Sequence, residues 1–249
     1  MSKEIAIVFG ASGFLGSHVA EALSSDGYQV RLFDCTPSDF KRSDQEMIVG
    51  DIMNMEDVTK AIQGASVVYN FAAIADIDEA NEKPLVTAEI NILGNMNVLE
   101  ASRLAGVSRF IFASSVYVYS ESGSFYRASK QAAERFIETY QDRYGLDYTI
   151  LRYGSLYGRR TDDRNGIYRM LHEAIEQRSI TYKGSGEAIR EYIHVEDAAR
   201  MSVQVLAPEF ANRHLILTGQ ERMRIKDVMT MISEIMPWPV KLHFDEANT

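Results

Sequence analysis

Between Ala113 and Lys130 the chain reads ASSVYVYSESGSFYRASK, a run of hydroxyls and phenols closed by one ammonium. Three of these residues form a set able to move a proton. If Tyr126 starts a helix, Lys130 lies one turn on, at i+4 and on the same face. A free phenol, with a pKa near 10, is a poor base at neutral pH. An ammonium at roughly 5 Å, in an effective dielectric of about 20, favours phenolate by about 3 kcal/mol, or roughly 2 pKa units. Tyr126 then becomes usable as a general base or acid. Ser115, eleven positions earlier at the end of an expected strand, can hydrogen-bond the substrate oxygen that loses its proton. A second reading is purely structural: a strand edge, a loop and a helix that begins with Tyr. Tyr117 and Tyr119 are assigned to packing.

The elements that must position this set alternate along the first 153 residues. Apolar runs predict strands at Ile5–Phe9, Gln29–Phe33, Glu46–Val49, Ser66–Phe71, Arg109–Ala113 and Tyr148–Arg152. Amphipathic runs predict helices at Gly13–Ser24, Met55–Gln63, Pro84–Ala105 and Tyr126–Arg143. Such alternation implies an α/β fold, a doubly wound parallel sheet whose sites lie at the carboxyl ends of the strands. Beyond Gly158 the pattern loosens. Residues 159–165 read as a polar loop, Ile167–Gln177 as a helix and Val195–Leu206 as a helix returning to the first domain. His214–Thr218 reads as a short strand, and Ile225–Met236 as a helix ended by Pro237 and Pro239. The expected division is therefore residues 1–153 with a return of about 190–207, and a small lobe of 154–189 and 208–249 closing over the sheet edge.

A dinucleotide is the cofactor these elements suit. IAIVFGASGFLG, residues 5–16, is a buried strand followed by glycines at 10, 13 and 16. Gly10 permits a tight turn, Gly13 a close approach to a pyrophosphate, and Gly16 close packing of helix on sheet. The helix amides then face the phosphates. The second strand ends at Asp34, an acid able to accept from an adenosine ribose and to repel a 2′-phosphate, so NAD is favoured over NADP. Asp51 and Ile52 follow the third strand, where the acid can meet the adenine amino group and the side chain its ring face.

Composition excludes other classes. The 249 residues are 46% hydrophobic and 24% charged, as in an ordinary soluble globular protein, and carry a net charge of −9. An acidic chain without a basic stripe argues against general nucleic-acid binding. No apolar run reaches membrane-spanning length, and the start MSKEIAIVFGASG has no signal-peptide pattern. One cysteine, Cys35, cannot form an intrachain disulfide, which suggests a reducing, cytoplasmic setting. The five histidines are scattered without metal-ligand spacing, so no metal site is expected.

Taken together, these motifs resemble an extended short-chain dehydrogenase/reductase of the nucleotide-sugar epimerase/dehydratase group. The matching segments run in order over nearly the full length: GASGFLG (10–16), Asp34, GDI (50–52), NFAA (70–73), NILGNMNVLEA (91–101), ASSVYVY (113–119), YRASK (126–130), LRYGSLYGRR (151–160) and REYIHVEDAA (190–199). The resemblance implies a Rossmann domain binding NAD, a small lobe binding a nucleoside-diphosphate sugar, and hydride transfer at a sugar carbon. It makes Tyr126 the base, Lys130 its ribose-binding partner and Ser115 the orienting hydroxyl. Phe14, Leu15, Phe71, Ala72, Ala73 and Ser114 join the cofactor site, with Asn91 below the active site and Tyr153 beside the nicotinamide. Arg190 resembles the arginine that clamps a diphosphate; Ser155 and Asn165 complete the substrate set. Tyr153 and Asn91 also read as packing residues, and Arg190 as a surface charge.

Three departures stand out. The loop SESGSF (120–125) between Ser115 and Tyr126 is short, glycine-broken and polar. Ser155 replaces the asparagine usual after the LRY strand. The C-terminal lobe looks curtailed, ending at DEANT (245–249), so that some substrate-binding residues are expected outside this chain. After Ser115 come Val116 and Tyr117, which cannot act as the acidic residues of dehydratase or decarboxylase relatives. The chemistry left is a C4 epimerase working through a transient 4-keto sugar. A 4-ketoreductase or dehydrogenase, and a non-catalytic NAD-binding regulatory protein, are the alternatives. Asn91–Ala105 and Ala128–Tyr144 carry apolar residues at helical spacing (Val98, Leu99, Ala101; Ala132, Phe136, Ile137, Tyr140), and the resemblance implies that these two helices pair across a two-fold axis as a four-helix bundle in a homodimer; the other reading is packing within one chain.

Overall fold

The structure is a computed structural model that describes residues 4–245. The start of the chain at 1–3 and the expected curtailed end at 246–249 lie outside the described residues. The chain divides into two compact units, one of 1–153 with 196–217 and one of 154–195 with 218–249.

In the first unit, a seven-stranded sheet is ordered β10-β6-β5-β4-β1-β2-β3. Its strands are β1 Ile5–Phe9, β2 Gln29–Asp34, β3 Glu46–Val49, β4 Val67–Asn70, β5 Arg109–Ser115, β6 Tyr148–Tyr153 and β10 Arg213–Leu217. Every pairing is parallel. Parallel strands need both faces covered, which is why β1, β4 and β5 are near-continuous apolar runs. Ala6 to Phe9, Tyr69, Phe110 and Ile111 are sealed from solvent. Strand order reverses between β1 and β4, since β1 has β2 on one side and β4 on the other. In such sheets a crevice for a ligand opens at that reversal, beyond the carboxyl ends of the strands.

Helices α1 (Phe14–Ser25), α2 (Met55–Ile62), α5 (Asn95–Ala105), α6 (Ser124–Tyr144) and α8 (Val195–Gln204) include the expected ones. The helix expected as one piece over 84–105 is broken. It runs as α4 (Pro84–Ala88), a π-helical turn (Glu89–Gly94) and then α5. A short α3 (Ile77–Glu82) precedes it, begun by Asp76, whose side chain accepts from the Glu79 amide.

One boundary differs from expectation. The segment 208–217, assigned by sequence to the small lobe, belongs to the first unit because β10 pairs in parallel with β6, Arg213 opposite Thr149 through Leu217 opposite Tyr153. Five residues of RHLIL gain a full ladder there, and the return begins at 196, not near 190.

The second unit is built on β7 (Ser155–Tyr157), β9 (Ile189–His194) and β11 (Arg222–Arg224) in one small sheet, and β8 (Ser179–Lys183) with β12 (Lys241–Asp245) in another. Helices α7 (Gly166–Glu176) and α9 (Ile225–Ile235) enclose a core of Met170, Ala174, Ile180, Ile225, Val228, Met229 and Ile232. None of its strands was expected, since each is short and half-buried, with no clear alternation. No described helix is long and apolar enough to cross a membrane.

Candidate active site

The loop after β1 is shaped by close backbone contacts. Gly10 has φ +76°, and a Cβ there would lie 2.6 Å from the Ala72 amide nitrogen. A Cβ at Gly16 would lie 2.1 Å from the Gly10 carbonyl oxygen. Both distances are far below van der Waals contact, so any side chain would push strand, loop and helix apart. At Gly13 the only neighbour is the Gly10 oxygen at 3.3 Å, leaving space on its outer side. Helix α1 starts directly afterwards, at Phe14 and Leu15, with its first amides free of intrahelical partners.

Asp34 ends β2 beside this loop. Its carboxylate accepts from the Ser12 amide at 2.9 Å and the Thr36 amide at 3.2 Å, and the Ser12 hydroxyl donates to the Thr36 carbonyl at 2.7 Å. These bonds tie the acid to the loop and leave the half-buried carboxylate further acceptor capacity. Asp51 is exposed and accepts from the Met53 amide at 2.9 Å, closing the turn before α2. Ile52 is buried in the core beneath Gly94, so its main role is packing. After β4, Phe71 lies 5.9 Å from Tyr69 and 6.5 Å from Tyr153 by ring centroids, with Ala72 and Ala73 half-buried behind it.

Ser115, Tyr126 and Lys130 come together at the end of β5. Ser115 is the last residue of the strand, and its hydroxyl hydrogen-bonds the Tyr126 phenol while accepting from the Tyr117 amide at 3.2 Å. Tyr126 stands in the first turn of α6, half-buried, with Tyr117 edge-on at 6.4 Å. The Lys130 nitrogen sits 5.7 Å from the Tyr126 ring centroid and 4.8 Å from that of Phe112, and donates to the Ala113 carbonyl at 2.8 Å.

The ionisation of this set departs from the sequence expectation. Burial pushes the Tyr126 phenol up to about 12, against a lowering by the Ser115 hydrogen bond, where a fall of about 2 units was expected. Burial also brings Lys130 down to about 8, opposed by the charge of Glu134. In the ligand-free chain the ammonium is held by a carbonyl and lies below the ring, so desolvation outweighs it.

Four other expected site residues are committed elsewhere. Asn91, inside the π-helical turn, accepts from the Ile74 amide at 2.8 Å and donates to the Ile74 carbonyl at 3.0 Å and the Ser129 hydroxyl at 2.9 Å. Its carboxamide thus fastens the loop after β4 to α6 and has no donor left for a cofactor. Ser114 donates to Glu134 at 2.5 Å inside the protein. The buried Tyr153 hydroxyl is bonded to Ser202 on α8 at 2.6 Å, and burial raises its pKa strongly. Asn165 in the second unit caps α7, accepting from the Ile167 amide at 3.1 Å and the Tyr168 amide at 3.2 Å, while donating to the Leu156 carbonyl at 2.7 Å. Ser155 starts β7 opposite Tyr192, and Arg190 lies on β9, donating to the Ile189 carbonyl at 3.0 Å. Sequence reading missed Glu134 and Arg152. The available signal was an acid at i+4 from Lys130 on the same helix.

Comparison with known proteins fits this geometry. The family described as "NAD dependent epimerase/dehydratase family" matches residues 6–216. The chain belongs to that family. Among curated relatives, a putative UDP-glucose 4-epimerase of Methanocaldococcus jannaschii is 29% identical over 221 residues, spanning 80% of this chain and 72% of the relative. A UDP-glucuronate 4-epimerase of Thermodesulfobacterium geofontis is 28% identical over 230 residues, spanning 81% and 71%. A crystal structure of UDP-glucuronic acid 4-epimerase from Bacillus cereus, in complex with UDP-glucuronic acid and NAD, superposes with a TM-score of 0.89 at 25% identity, over 96% of this chain and 85% of that one. NAD is the cofactor of this epimerase/dehydratase-family enzyme. The residues present fit it: a glycine cradle too tight for a Cβ on its inner side and open at Gly13, a helix N-terminus, and a tethered carboxylate at Asp34.

Proposed function

We propose that this chain is an NAD-dependent 4-epimerase of nucleoside-diphosphate sugars, with a UDP-sugar as the substrate class. The observation that carries the proposal is the meeting of Ser115, Tyr126 and Lys130 at the end of β5, in the sheet whose strand β1 leads into the glycine loop. Support comes from the curated relatives, several of which are UDP-sugar 4-epimerases.

In this reading Tyr126 takes the proton from the sugar C4 hydroxyl, and Ser115 orients that hydroxyl. The glycine loop, the α1 N-terminus and Asp34 would hold NAD, which would supply reversible hydride acceptance at C4 and a positive charge favouring phenolate. Lys130 carries the positive charge that lowers the cost of phenolate once its amine leaves the Ala113 carbonyl. After the keto sugar turns, Tyr126 gives the proton back, so the cycle is redox-neutral. The second unit is proposed as the substrate-binding lobe, with Arg190 and Ser155 toward the nucleotide sugar. Val116 and Tyr117 supply no carboxylate for an elimination.

Purified protein is expected to interconvert C4-epimeric UDP-sugars without consuming NAD, and Tyr126→Phe to lose at least about 1,000-fold in turnover while still melting cooperatively. Unchanged turnover in Tyr126→Phe sinks the proposal. Net NADH formation would make the enzyme a dehydrogenase instead.

The chain is also proposed to act as a homodimer. Val98, Leu99, Ala101 and Ile137 are sealed in the chain's own core and are not free to pair. Leu93, Leu104, Phe136 and Tyr144 on the same helices are exposed, and they are the proposed contact. Sedimentation at micromolar concentration should give twice the mass of the 28.1 kDa chain; a monomer excludes the pairing. The exposed free thiol of Cys35 supports the proposed cytoplasmic setting.

A further inference from the structure

Helix α6 carries a second buried set one turn beyond Lys130. Glu134, with 7% of its side chain exposed, faces Arg152 of β6, with 13% exposed. The guanidinium grips the carboxylate with two bonds, Nε to Oε1 at 3.0 Å and Nη2 to Oε2 at 2.6 Å. Ser114 of β5 donates to the same Oε1 at 2.5 Å. Arg152 also donates from Nη2 to His214 Nδ1 of β10 at 2.8 Å and bonds the Tyr119 hydroxyl, with the Tyr119 ring centroid 4.7 Å away. Burial and the nearby Arg152 lower the His214 pKa, so it accepts as a neutral ring. Its Nε2 lies 3.1 Å from Glu138.

We propose that Glu134, gripped by Arg152 and Ser114, is a positioning residue that docks α6 on β5 and β6 and holds a fixed anion one helical turn from Lys130. The proposal deepens the epimerase reading, because it rests on Lys130 acting as a cation. Two buried charges are costly to desolvate, and an apolar pair of similar volume often gives an equally stable fold. Stability alone therefore does not account for placing them here. The placement matters because β5 is shared: Ser114 binds Glu134, Ala113 holds the Lys130 amine, and Ser115 bonds Tyr126.

Other charges around Lys130 do not substitute for Glu134. On α6 itself its titratable or charged turn-neighbours are Tyr126, Arg127, which is turned to the Ser120 carbonyl, and Glu134; the 3-10 turn Val116–Tyr119 brings Tyr117 and Tyr119, β6 brings Arg152 and β10 brings His214. From the helices packed on α6, Glu79 pairs with Lys83 and Glu100 with Arg103, while Asp78, Glu82 and Glu89 are exposed. Burial draws Lys130 down to about 8, and the charge of Glu134 opposes it.

The test is an NMR titration of Lys130 in ligand-free protein labelled with 13C at lysine Cε, assigned by the signal missing in Lys130→Met. Glu134→Gln is expected to lower the Lys130 midpoint by about one pH unit. The alkaline limb of turnover should move down with it. A midpoint within about 0.2 unit of the parent overturns the proposal. Should the unpaired Arg152 prevent Glu134→Gln from folding, Glu134→Leu/Arg152→Met removes both charges. Its melting temperature should return to near the parent value, while the Lys130 midpoint stays lowered and turnover depressed about tenfold or more. Recovery of the midpoint and turnover along with stability would reduce the pair to packing and overturn the proposal. The titration needs no turnover, so a protein that shifts as expected but epimerises no sugar would refute the epimerase reading and not this one.

Discussion

The glycine loop and the tyrosine–lysine segment both follow the carboxyl ends of parallel strands of one sheet, β1 and β5, yet they differ in which atoms are constrained. In the loop the proposed recognition falls to the backbone, and the constraint is steric. Gly16 would place a Cβ 2.1 Å from a carbonyl, and Gly10 one at 2.6 Å from an amide. In the segment from Ser115 to Lys130 the proposed chemistry falls to side chains, and the constraint is electrostatic: burial holds the phenol at about 12 and the amine at about 8. A steric site is built once the fold forms. An electrostatic site is different: in the ligand-free chain burial moves the phenol up and the amine down, against the task proposed for them.

Substitutions can break this contrast. The largest effect is expected at Gly16→Ala, where the added Cβ meets the backbone and nothing flexible can yield. It should cost more than about 3 kcal/mol in thermal or denaturant unfolding and weaken NAD binding at least about 100-fold by fluorescence titration. The same change at Gly13 meets a single oxygen at 3.3 Å, so it should alter stability by less than about 1 kcal/mol while weakening NAD binding about tenfold. Equal losses of stability at both positions would contradict the steric picture.

A smaller effect is expected from proton linkage at Lys130. Its pKa falls from 10.5 in the unfolded chain to about 8 in the folded one, so between these values the unfolded state binds more protons and stability rises with pH. The rise should be about 2 kcal/mol from pH 8 to pH 10 in urea titrations, given the shift cited. Lys130→Met should lack that rise. If it retains the full slope, the buried amine is not the source.

Much of the frame was legible from local pattern. The runs IAIVF and FIF predicted buried parallel strands because a strand covered on both faces has to be apolar throughout. The relation of Tyr126 to Lys130 was legible because i+4 spacing fixes geometry inside one helix. What escaped depends on a partner far along the chain. The Asn91 carboxamide is spent on Ile74 and Ser129, residues 17 and 38 positions away. Tyr153 turns to Ser202, 49 positions on. The strand 213–217 carries too little apolar signal to say which sheet it joins, and only its ladder with β6 settles that.

Sequence alone determined the strand–helix alternation, the glycine cradle with its acid, and a phenol and an ammonium on one helix face, because each follows from backbone sterics and local periodicity. Tertiary structure decided which polar groups remained available, and which way burial moved the phenol and the amine. Desolvation and hydrogen-bond partners arise only when distant segments pack, so no spacing along the chain could supply them.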